Sequence, residues 1–338
     1  MKATALAPTN IAVIKYWGKE PSLENYHVPT KSSYSFTVDS LYAKTSIEAE
    51  ELIGRGGISI TLTLNGKVFE TGSKEHSYIE SFFKRAISVF PFLDGYKYNI
   101  VSETNFPVAA GLASSAAGFA ALAKALAQLF PSQLSSERDV SILARLGSGS
   151  AARSVPEKGG IVVWHRGDLK DHKTSYAETL FPPEHLEDLR IVYALVEKEE
   201  KKVKSRGGMK TSLLTNPLYK DWVAYEEENL SKDFVSAVSN KDTGRMYEII
   251  MRASNNLHMM CMGTYPPIMY LKESSFSIMD DIHKLNKDSL VAAYTFDAGP
   301  NPIVFTQEEN LKEVISLLSN YTSDIIITKQ GRGAISEV

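Results

Sequence analysis

A loop that runs straight into a helix, at residues 105–120, is the feature that most constrains how this chain can fold. It reads Asn-Phe-Pro-Val-Ala-Ala-Gly-Leu-Ala-Ser-Ser-Ala-Ala-Gly-Phe-Ala, and a strand predicted at about residues 97–102 leads into it. Small residues leave the backbone amides at the helix start exposed, and amides at the positive end of a helix attract phosphate. The stretch also fits a small-residue turn that opens a packed core helix. It has neither the Gly-Lys-Ser/Thr of a Walker loop nor the Rossmann glycine spacing.

Length, charge and composition exclude several broad classes of protein. The chain has 338 residues, which is enough for two lobes with a cleft between them. Its 37 basic and 40 acidic residues give a net charge of -3, so we expect no nucleic-acid or membrane partner. No apolar run is long enough for a signal peptide or a membrane span, and the only cysteine, Cys261, cannot form an intrachain disulfide. These features predict a cytoplasmic protein, and the histidines show no metal-binding spacing.

Two other stretches carry side chains suited to a cleft. A predicted strand from Leu6 to Ile14 ends in Lys-Tyr-Trp-Gly-Lys at residues 15–19, a pattern that also fits an aromatic-capped strand with solvated lysines. Residues 144–154 read Ala-Arg-Leu-Gly-Ser-Gly-Ser-Ala-Ala-Arg-Ser. Arginine offers a planar fork to phosphate or carboxylate, so this run predicts a second anion site, although a flexible Gly/Ser linker has a similar composition.

Asp297 ends a strand late in the chain, within Tyr-Thr-Phe-Asp-Ala-Gly-Pro-Asn-Pro at residues 294–302. An aspartate near glycine and proline ordinarily caps a turn. A carboxylate held rigidly at a strand end can instead act on a hydroxyl in a cleft. Before this strand, the pattern of apolar residues predicts helices at about residues 217–240, 243–262 and 267–285.

Four stretches of the chain, in their order and spacing, resemble the diphosphomevalonate decarboxylases. They are residues 8–19, the loop at 105–120, residues 147–154 and residues 295–301. This family belongs to the superfamily of galactokinase, homoserine kinase, mevalonate kinase and phosphomevalonate kinase. The Lys-Tyr-Trp-Gly-Lys and Thr-Phe-Asp-Ala-Gly-Pro elements are specific for the decarboxylase branch, and the resemblance covers nearly the whole chain.

The resemblance implies an α+β fold with two lobes around a deep cleft, like that of the small-molecule kinases. Residues 1–185 would form an N-terminal lobe similar to ribosomal protein S5, with the phosphate-binding loop. Residues 186–338 would form a ferredoxin-like C-terminal lobe. Relatives are commonly homodimers, so we expect a homodimer.

The resemblance also implies a reaction of isoprenoid biosynthesis. ATP, accompanied by Mg2+, phosphorylates the tertiary 3-hydroxyl of 5-diphosphomevalonate. The 3-phosphate then leaves as CO2 is lost, which yields isopentenyl diphosphate. Breaking the tertiary C–O bond builds positive charge at C3, and the substrate carboxylate supplies electrons by expelling CO2. The protein then has to hold the anionic groups and orient the breaking bonds.

Individual residues take roles from the same resemblance. The catalytic set is Asp297 at the 3-hydroxyl, Arg153 on the substrate carboxylate and Lys15 supporting the acid. The substrate-binding positions are Tyr16, Lys19, Lys31, Ser35, Ser150 and His258. The nucleotide-phosphate cradle consists of Gly111, Ala113, Ser114 and Ser115. The resemblance implies no dedicated protein ligands for a metal.

Several positions depart from the family pattern. Lys31 stands where the family usually has asparagine, Val108 replaces a threonine, Ala152 replaces a cysteine or serine, and residues 156–158 look like a short insertion. An added cation such as Lys31 suits a substrate that already carries a 3-phosphate. A second reading is therefore ATP-independent decarboxylation of mevalonate 3,5-bisphosphate, as in an archaeal branch, which would need no cofactor. The sequence is also compatible with a 5-phosphomevalonate decarboxylase, with a kinase that stops at the 3-phosphate and with a non-catalytic binding protein.

Overall fold

The structure, a computed structural model, describes residues 1–53, 56–106, 114–197 and 203–337. Residues 107–113 of the predicted phosphate loop, including Gly111 and Ala113, lie outside these residues. In chain order the strands are β1 (Lys2–Ile14), β2 (Ser33–Glu51), β3 (Ser59–Leu64), β4 (Lys67–Phe69), β5 (Tyr96–Thr104), β6 (Ile161–Trp164), β7 (Ala177–Phe181), β8 (Leu189–Ala194), β9 (Ala292–Phe296), β10 (Pro302–Gln307), β11 (Ile325–Lys329) and β12 (Ile335–Glu337).

Helices connect and cover these strands. In chain order they are α1 (Lys74–Val89), α2 (Ser114–Leu129), α3 (Glu137–Gly147), α4 (Ser205–Thr215), α5 (Tyr219–Tyr225), α6 (Ser231–Ser239), α7 (Thr243–Met262), α8 (Glu273–Leu285) and α9 (Leu311–Leu318). Within the described ranges, no helix combines the length and the apolar character needed to cross a membrane.

The first sheet follows the strand order β12-β1-β2-β5-β3-β4. Off this path, β6 pairs with β2, and β7 pairs with β6. The long strands β1 and β2 pair antiparallel, whereas β3 runs parallel to β5. The turn between β3 and β4 uses Asn65 and Gly66 at φ of 47° and 76°, backbone angles that an Asn-Gly pair adopts readily in a tight hairpin. Helix α2 packs across β1 and β2 and buries an apolar face that includes Phe119 and Leu126. This packing brings the start of α2 close to the sheet.

The second sheet has the strand order β11-β8-β10-β9, and all neighbouring strands are antiparallel. Along the chain this half reads strand, helices, strand, strand, helix, strand. That order is the ferredoxin-like βαββαβ arrangement, as the sequence predicted. Helix α7 lies against β9 and therefore borders the strand that leads to Asp297.

A shared core joins the two sheets. Phe36 of β2 lies 5.0 Å, between ring centroids, from Phe305 of β10 and 6.3 Å from Phe234 of α6, and all three side chains are buried. The shared core fixes the end of β1 relative to the end of β9. The predicted boundary at residues 185 and 186 falls between β7 and β8 and stays a prediction, while β12 returns to pair with β1 of the first sheet.

Candidate active site

Lys15 and Asp297 meet although they lie 282 residues apart in the chain. Lys15 directly follows β1, and Asp297 directly follows β9. Lys15 Nζ donates a hydrogen bond to Asp297 Oδ1 at 2.8 Å, and the side chains are 2% and 36% exposed respectively. Burial lowers the pKa of Lys15, whereas the nearby charge of Asp297 raises it. The pair therefore presents a partly exposed carboxylate that a buried cation supports.

Arg153 lies buried next to this pair and is held by neutral side chains. Its Nε donates to Asn10 Oδ1 at 3.0 Å, and its Nη1 donates to Ser33 Oγ at 2.8 Å. Asn10 is itself fixed, because its Nδ2 donates to Ser154 Oγ at 2.7 Å. Burial lowers the pKa of Arg153 to about 10, and the charge of Asp297 opposes that shift. The guanidinium thus keeps its charge at neutral pH in an orientation set by the first sheet.

Lys19 and Arg206 place two cations near the end of α3. Arg206 Nη2 donates to the carbonyl of Gly147 at 3.2 Å, and its guanidinium carbon lies 4.1 Å from the centre of the Tyr78 ring. Burial, and then the charge of Arg206, lower the pKa of Lys19 to about 8. A bound anion would offset the effect of Arg206 on Lys19 and favour the charged ammonium.

A row of hydroxyls connects the start of α2 with the turn that follows α3. Ser115 Oγ and Ser148 Oγ are 3.3 Å apart, and Ser148 Oγ and Ser150 Oγ are also 3.3 Å apart. The Tyr16 hydroxyl is buried and has no hydrogen-bond partner among the described residues. Burial raises its pKa, so it stays neutral and can donate to an anion. Hydroxyls in such a row suit the oxygens of a phosphate group.

An apolar cleft opens beside the first turn of α2. About 810 Å³ of space, including open solvent, lies between its walls. The cleft lies between α1, α2 and strands of the first sheet. Its lining includes Ser114, Ser115, Tyr78, Ile79, Phe119 and Leu122.

Lys31 has contacts that differ from those the sequence predicted. Its Nζ lies 2.8 Å from Glu226 Oε2, and the two side chains are 1% and 0% exposed. The same ammonium donates to the main-chain carbonyl of Lys15. Because Glu226 already balances its charge, these contacts give no support to the predicted role of Lys31 in binding a substrate phosphate.

Ser35 and His258 are both buried, and each has a polar atom without a hydrogen-bond partner in the described parts of the chain. For Ser35 this atom is Oγ, and for His258 it is Nε2. Burial, and then the charge of Lys15, lower the pKa of His258 to about 4, so this imidazole is neutral at pH 7. A buried unpartnered polar atom is consistent with the predicted binding role of each residue.

Sequence reasoning missed several side chains that complete this site. Asn10 and Ser33 orient Arg153, Ser148 joins the hydroxyl row, and Arg206 stands beside Lys19. Asn10 and Ser148 lie inside two of the motifs that carried the resemblance, so their polar character was the available signal. Arg206 lies outside the four motifs, in a basic run at residues 201–206 that usually forms a solvated face but that a polyphosphate partner would also favour. The fold brings it to the end of α3.

Two family models together match most of the chain. The diphosphomevalonate decarboxylase-like N-terminal domain matches residues 7–177, and the mevalonate 5-diphosphate decarboxylase C-terminal domain matches residues 191–334. The chain belongs to the diphosphomevalonate decarboxylase family. This confirms the membership that the four motifs predicted.

Individual members of the diphosphomevalonate decarboxylase family are similar along nearly the whole chain. The diphosphomevalonate decarboxylase of Candida albicans is 39% identical over 326 residues, which cover 94% of this chain and 87% of the relative. That of Rattus norvegicus is 36% identical over 327 residues, which cover 94% and 79%.

Solved structures of family members confirm the predicted fold. The mevalonate diphosphate decarboxylase of Staphylococcus aureus has a TM-score of 0.89 and 30% identity, covering 100% of this chain and 98% of its own. A complex of the protein called MDDEF with MVAPP, AMPPCP and magnesium has a TM-score of 0.88 and 32% identity, covering 100% and 99%.

Proposed function

We propose that the chain catalyses the ATP-dependent decarboxylation of 5-diphosphomevalonate to isopentenyl diphosphate. The observation that carries this proposal is the contact of 2.8 Å between Lys15 Nζ and Asp297 Oδ1, in a chain of this family. Relatives that bear the name diphosphomevalonate decarboxylase extend over most of the chain. The proposed reaction needs a carboxylate at the reacting hydroxyl, a cation for the substrate carboxylate and two sites for phosphate groups.

Asp297 accepts a hydrogen bond from the 3-hydroxyl and orients the hydroxyl oxygen toward the γ-phosphorus of ATP. When the new O–P bond forms, ADP leaves and the hydroxyl proton passes to Asp297 or to solvent. Lys15 keeps Asp297 ionised, because a cation within contact distance favours the charged carboxylate. Arg153 binds the C1 carboxylate through its planar fork. When the C3–O bond breaks, the 3-phosphate departs with the bonding electrons. The C1–C2 bond electrons then form the C2–C3 double bond and CO2 is released.

The diphosphate end of the substrate is proposed to lie between Lys19 and Arg206. Two cations there balance charge that the diphosphate brings. The hydroxyls of Tyr16, Ser148 and Ser150 donate to its oxygens. Holding the diphosphate fixes the position of C3 in the site, so the 3-hydroxyl reaches Asp297 in one orientation.

ATP and Mg2+ fit the residues at the start of α2. The apolar cleft accommodates a nucleoside, and Ser114 and Ser115 stand where its walls meet the hydroxyl row. When bound, ATP with Mg2+ supplies the phosphoryl group that makes the 3-oxygen a leaving group. MDDEF was solved with AMPPCP and magnesium, which agrees with this assignment.

The charge on Lys31 is one argument for a substrate that already carries a 3-phosphate, beside Val108 and the insertion at residues 156–158. The ion pair with Glu226 removes that argument, since the charge of Lys31 is already balanced. The open cleft beside Ser114 also favours a nucleotide. A homodimer and a cytoplasmic location remain predictions from the sequence.

One assay separates the proposed reaction from the competing activities. The chain is incubated with 5-diphosphomevalonate, 5-phosphomevalonate or mevalonate 3,5-bisphosphate, with and without ATP and Mg2+, and CO2 is measured. We expect CO2 from 5-diphosphomevalonate only when ATP and Mg2+ are present. CO2 from the bisphosphate without ATP would overturn the proposal. A phosphorylated product without CO2 would indicate a kinase, and no reaction at all would leave a binding protein.

A further inference from the structure

The helical stretch that runs from α5 to α6 contains a wide π-turn at Glu226–Leu230. π-turns inside helices are rare and often occur at functional sites. Two consecutive glutamates of this turn reach the segment that precedes β2. Glu227 accepts hydrogen bonds from the main-chain nitrogen and the hydroxyl of Ser32, at 2.5 and 2.8 Å. Glu226 pairs with the neighbouring Lys31.

The Lys31 and Glu226 pair is buried and enclosed by other side chains. Trp222 Nε1 donates to Glu226 Oε1 at 2.8 Å, and Lys31 Nζ lies 4.9 Å from the centre of the Trp222 ring. Asn256 Nδ2 lies 3.4 Å from Glu226 Oε1. A buried ion pair adds little net stability, because removing both charges from water offsets their attraction. The presence of this ion pair is therefore better explained by the group that Lys31 binds than by a gain in stability.

The group that Lys31 holds is the main-chain carbonyl of Lys15. That carbonyl belongs to the residue whose ammonium contacts Asp297 at 2.8 Å. Helix α5 holds the same segment a second time, because the Tyr219 hydroxyl donates to the carbonyl of Trp17 at 2.6 Å. The segment that carries Lys15 is thus fixed by Lys31, whose ion-pair partner Glu226 lies in the second half of the chain, and by Tyr219 of α5.

We propose that the buried pair of Lys31 and Glu226 positions Lys15 against Asp297. Lys31 is a positioning residue: its ammonium holds the Lys15 carbonyl, and Glu226 keeps that ammonium in place and balances its charge. The inference rests on the proposed function, in which Lys15 keeps Asp297 ionised.

Three variants separate positioning from a purely structural role. Lys31→Met keeps the length of the side chain and removes the donor to the Lys15 carbonyl. Glu226→Gln keeps an acceptor for Trp222 Nε1. It also leaves the Lys31 ammonium in place as donor to the Lys15 carbonyl. The double variant Lys31→Met/Glu226→Gln has no unpaired charge. Activity should therefore follow the Lys31 ammonium, whereas stability should follow the balance of charge.

The double variant gives the decisive measurement. We expect its midpoint of thermal unfolding to be close to that of the unmodified chain, since neither buried charge is left alone. We expect kcat to fall about 10- to 100-fold with little change in KM, because a displaced Lys15 weakens the reaction more than substrate binding. Glu226→Gln should lower stability and reduce kcat less than the double variant does, because its Lys31 ammonium can still donate to the Lys15 carbonyl. Lys31→Met should lower both the stability and kcat. Phe234→Leu, a buried change on α6, is the control for general loss of stability.

Crystal structures of the unmodified chain and the double variant provide a test that does not depend on turnover. The Lys15 Nζ to Asp297 Oδ1 distance should stay near 2.8 Å in the first and lengthen in the second. An unchanged distance, or a double variant with the kcat of the unmodified chain, would overturn the positioning role. If the double variant does not fold, a lower kcat in Glu226→Gln than in Lys31→Met would overturn it. If the unmodified chain releases no CO2, the proposed function is contradicted instead. The Lys15 Nζ to Asp297 Oδ1 distance in the two crystal structures then tests the positioning role alone.

Discussion

At the scale of single residues, Asp297 is the side chain whose charge the proposed reaction needs most. Asp297→Asn keeps the shape and removes both the charge and the ability to accept a proton. We expect kcat to fall about 100- to 10,000-fold, the usual contribution of a positioned acid or base, with substrate binding largely unchanged. CO2 release and calorimetric titration with 5-diphosphomevalonate measure the two effects.

Asp288→Asn is the matched control, because Asp288 is exposed on the surface. Asp288→Asn should leave both kcat and substrate binding unchanged. If Asp297→Asn abolishes binding while the protein remains folded, Asp297 holds the substrate rather than acting on the hydroxyl.

Arg153→Lys tests whether the substrate carboxylate needs a planar fork. Lysine keeps the charge but offers a point cation in place of two parallel donors. Losing one charged hydrogen bond costs about 1.5 to 3 kcal/mol, so we expect binding to weaken about 10- to 100-fold. Titration calorimetry checks this, with the exposed Arg252→Lys as control. Equal affinities would remove Arg153 from the carboxylate site.

The pKa of Lys19 predicts how substrate binding depends on pH. Its pKa is about 8, so its ammonium is charged below that pH and neutral above it. The bound diphosphate needs the charged form. The dissociation constant should therefore rise with pH, to about tenfold weaker binding at about pH 9 than at about pH 7.

Lys19→Arg should abolish this pH dependence, because arginine stays protonated throughout the range. Calorimetric titrations at several pH values test both chains. The same pH dependence in Lys19→Arg would assign it to a different group.

Lys31 shows which property of a residue its sequence position does not reveal. The sequence identified Lys31 as an added cation where the family usually has asparagine, yet its partner Glu226 comes from a helix that only the fold brings near. The contact between Lys15 and Asp297 was predictable because both lie in motifs with a recognisable pattern. Charge on a side chain is visible in a sequence, whereas the neutralisation of that charge is a property of packing.

At the scale of elements, helix bounds were predictable where local signals decide them. Helix α7 begins and ends at the predicted residues 243–262, and Asp242 caps its start by accepting a hydrogen bond from the Arg245 main-chain nitrogen at 2.9 Å. Helix α8 begins at Glu273 rather than near residue 267. The two prolines at 266 and 267 and a hydrogen bond of 3.0 Å from Ile268 N to the Cys261 carbonyl hold the preceding segment outside a helix.

The π-turn at Glu226–Leu230 lies inside the helix predicted at 217–240. Sequence reasoning missed it because a widened turn uses ordinary helix-forming residues, and tertiary contacts determine its place.

Helix α2 offers a test of the nucleotide site. Gly118 lines the cleft, and a Cβ added there would meet no atom within 4 Å. Gly118→Leu should fold, because glycine inside a helix is less favourable than most residues, and its side chain should occupy the cleft. We expect at least about tenfold weaker ATP binding, the loss of about 1.4 kcal/mol, with unchanged binding of 5-diphosphomevalonate.

Gly118→Ala is the control and should bind ATP normally with slightly higher stability. Fluorescence titration with an ATP analogue and calorimetry with the substrate measure the two affinities. Normal ATP binding by Gly118→Leu would place the nucleoside elsewhere.

At the scale of the whole molecule, the shared core makes the two sheets depend on each other. Phe36 of the first sheet packs on Phe305 of the second, so removing its ring affects both. Phe36→Ala should lower the free energy of unfolding by about 3 to 5 kcal/mol. Because the core is continuous, circular dichroism and tryptophan fluorescence should report one common midpoint, shifted to a lower denaturant concentration.

Phe83→Ala completes this test, because Phe83 is buried in the first lobe and stacks on Tyr98 at 4.5 Å, away from the shared core. If the chain unfolds as one unit, this change also moves the single common midpoint, even though it touches only one lobe. Independent lobes would instead give two transitions, and Phe83→Ala would move only one of them. A single transition in both variants therefore indicates that the ends of β1 and β9, with Lys15 and Asp297, hold their positions only while the whole molecule is folded.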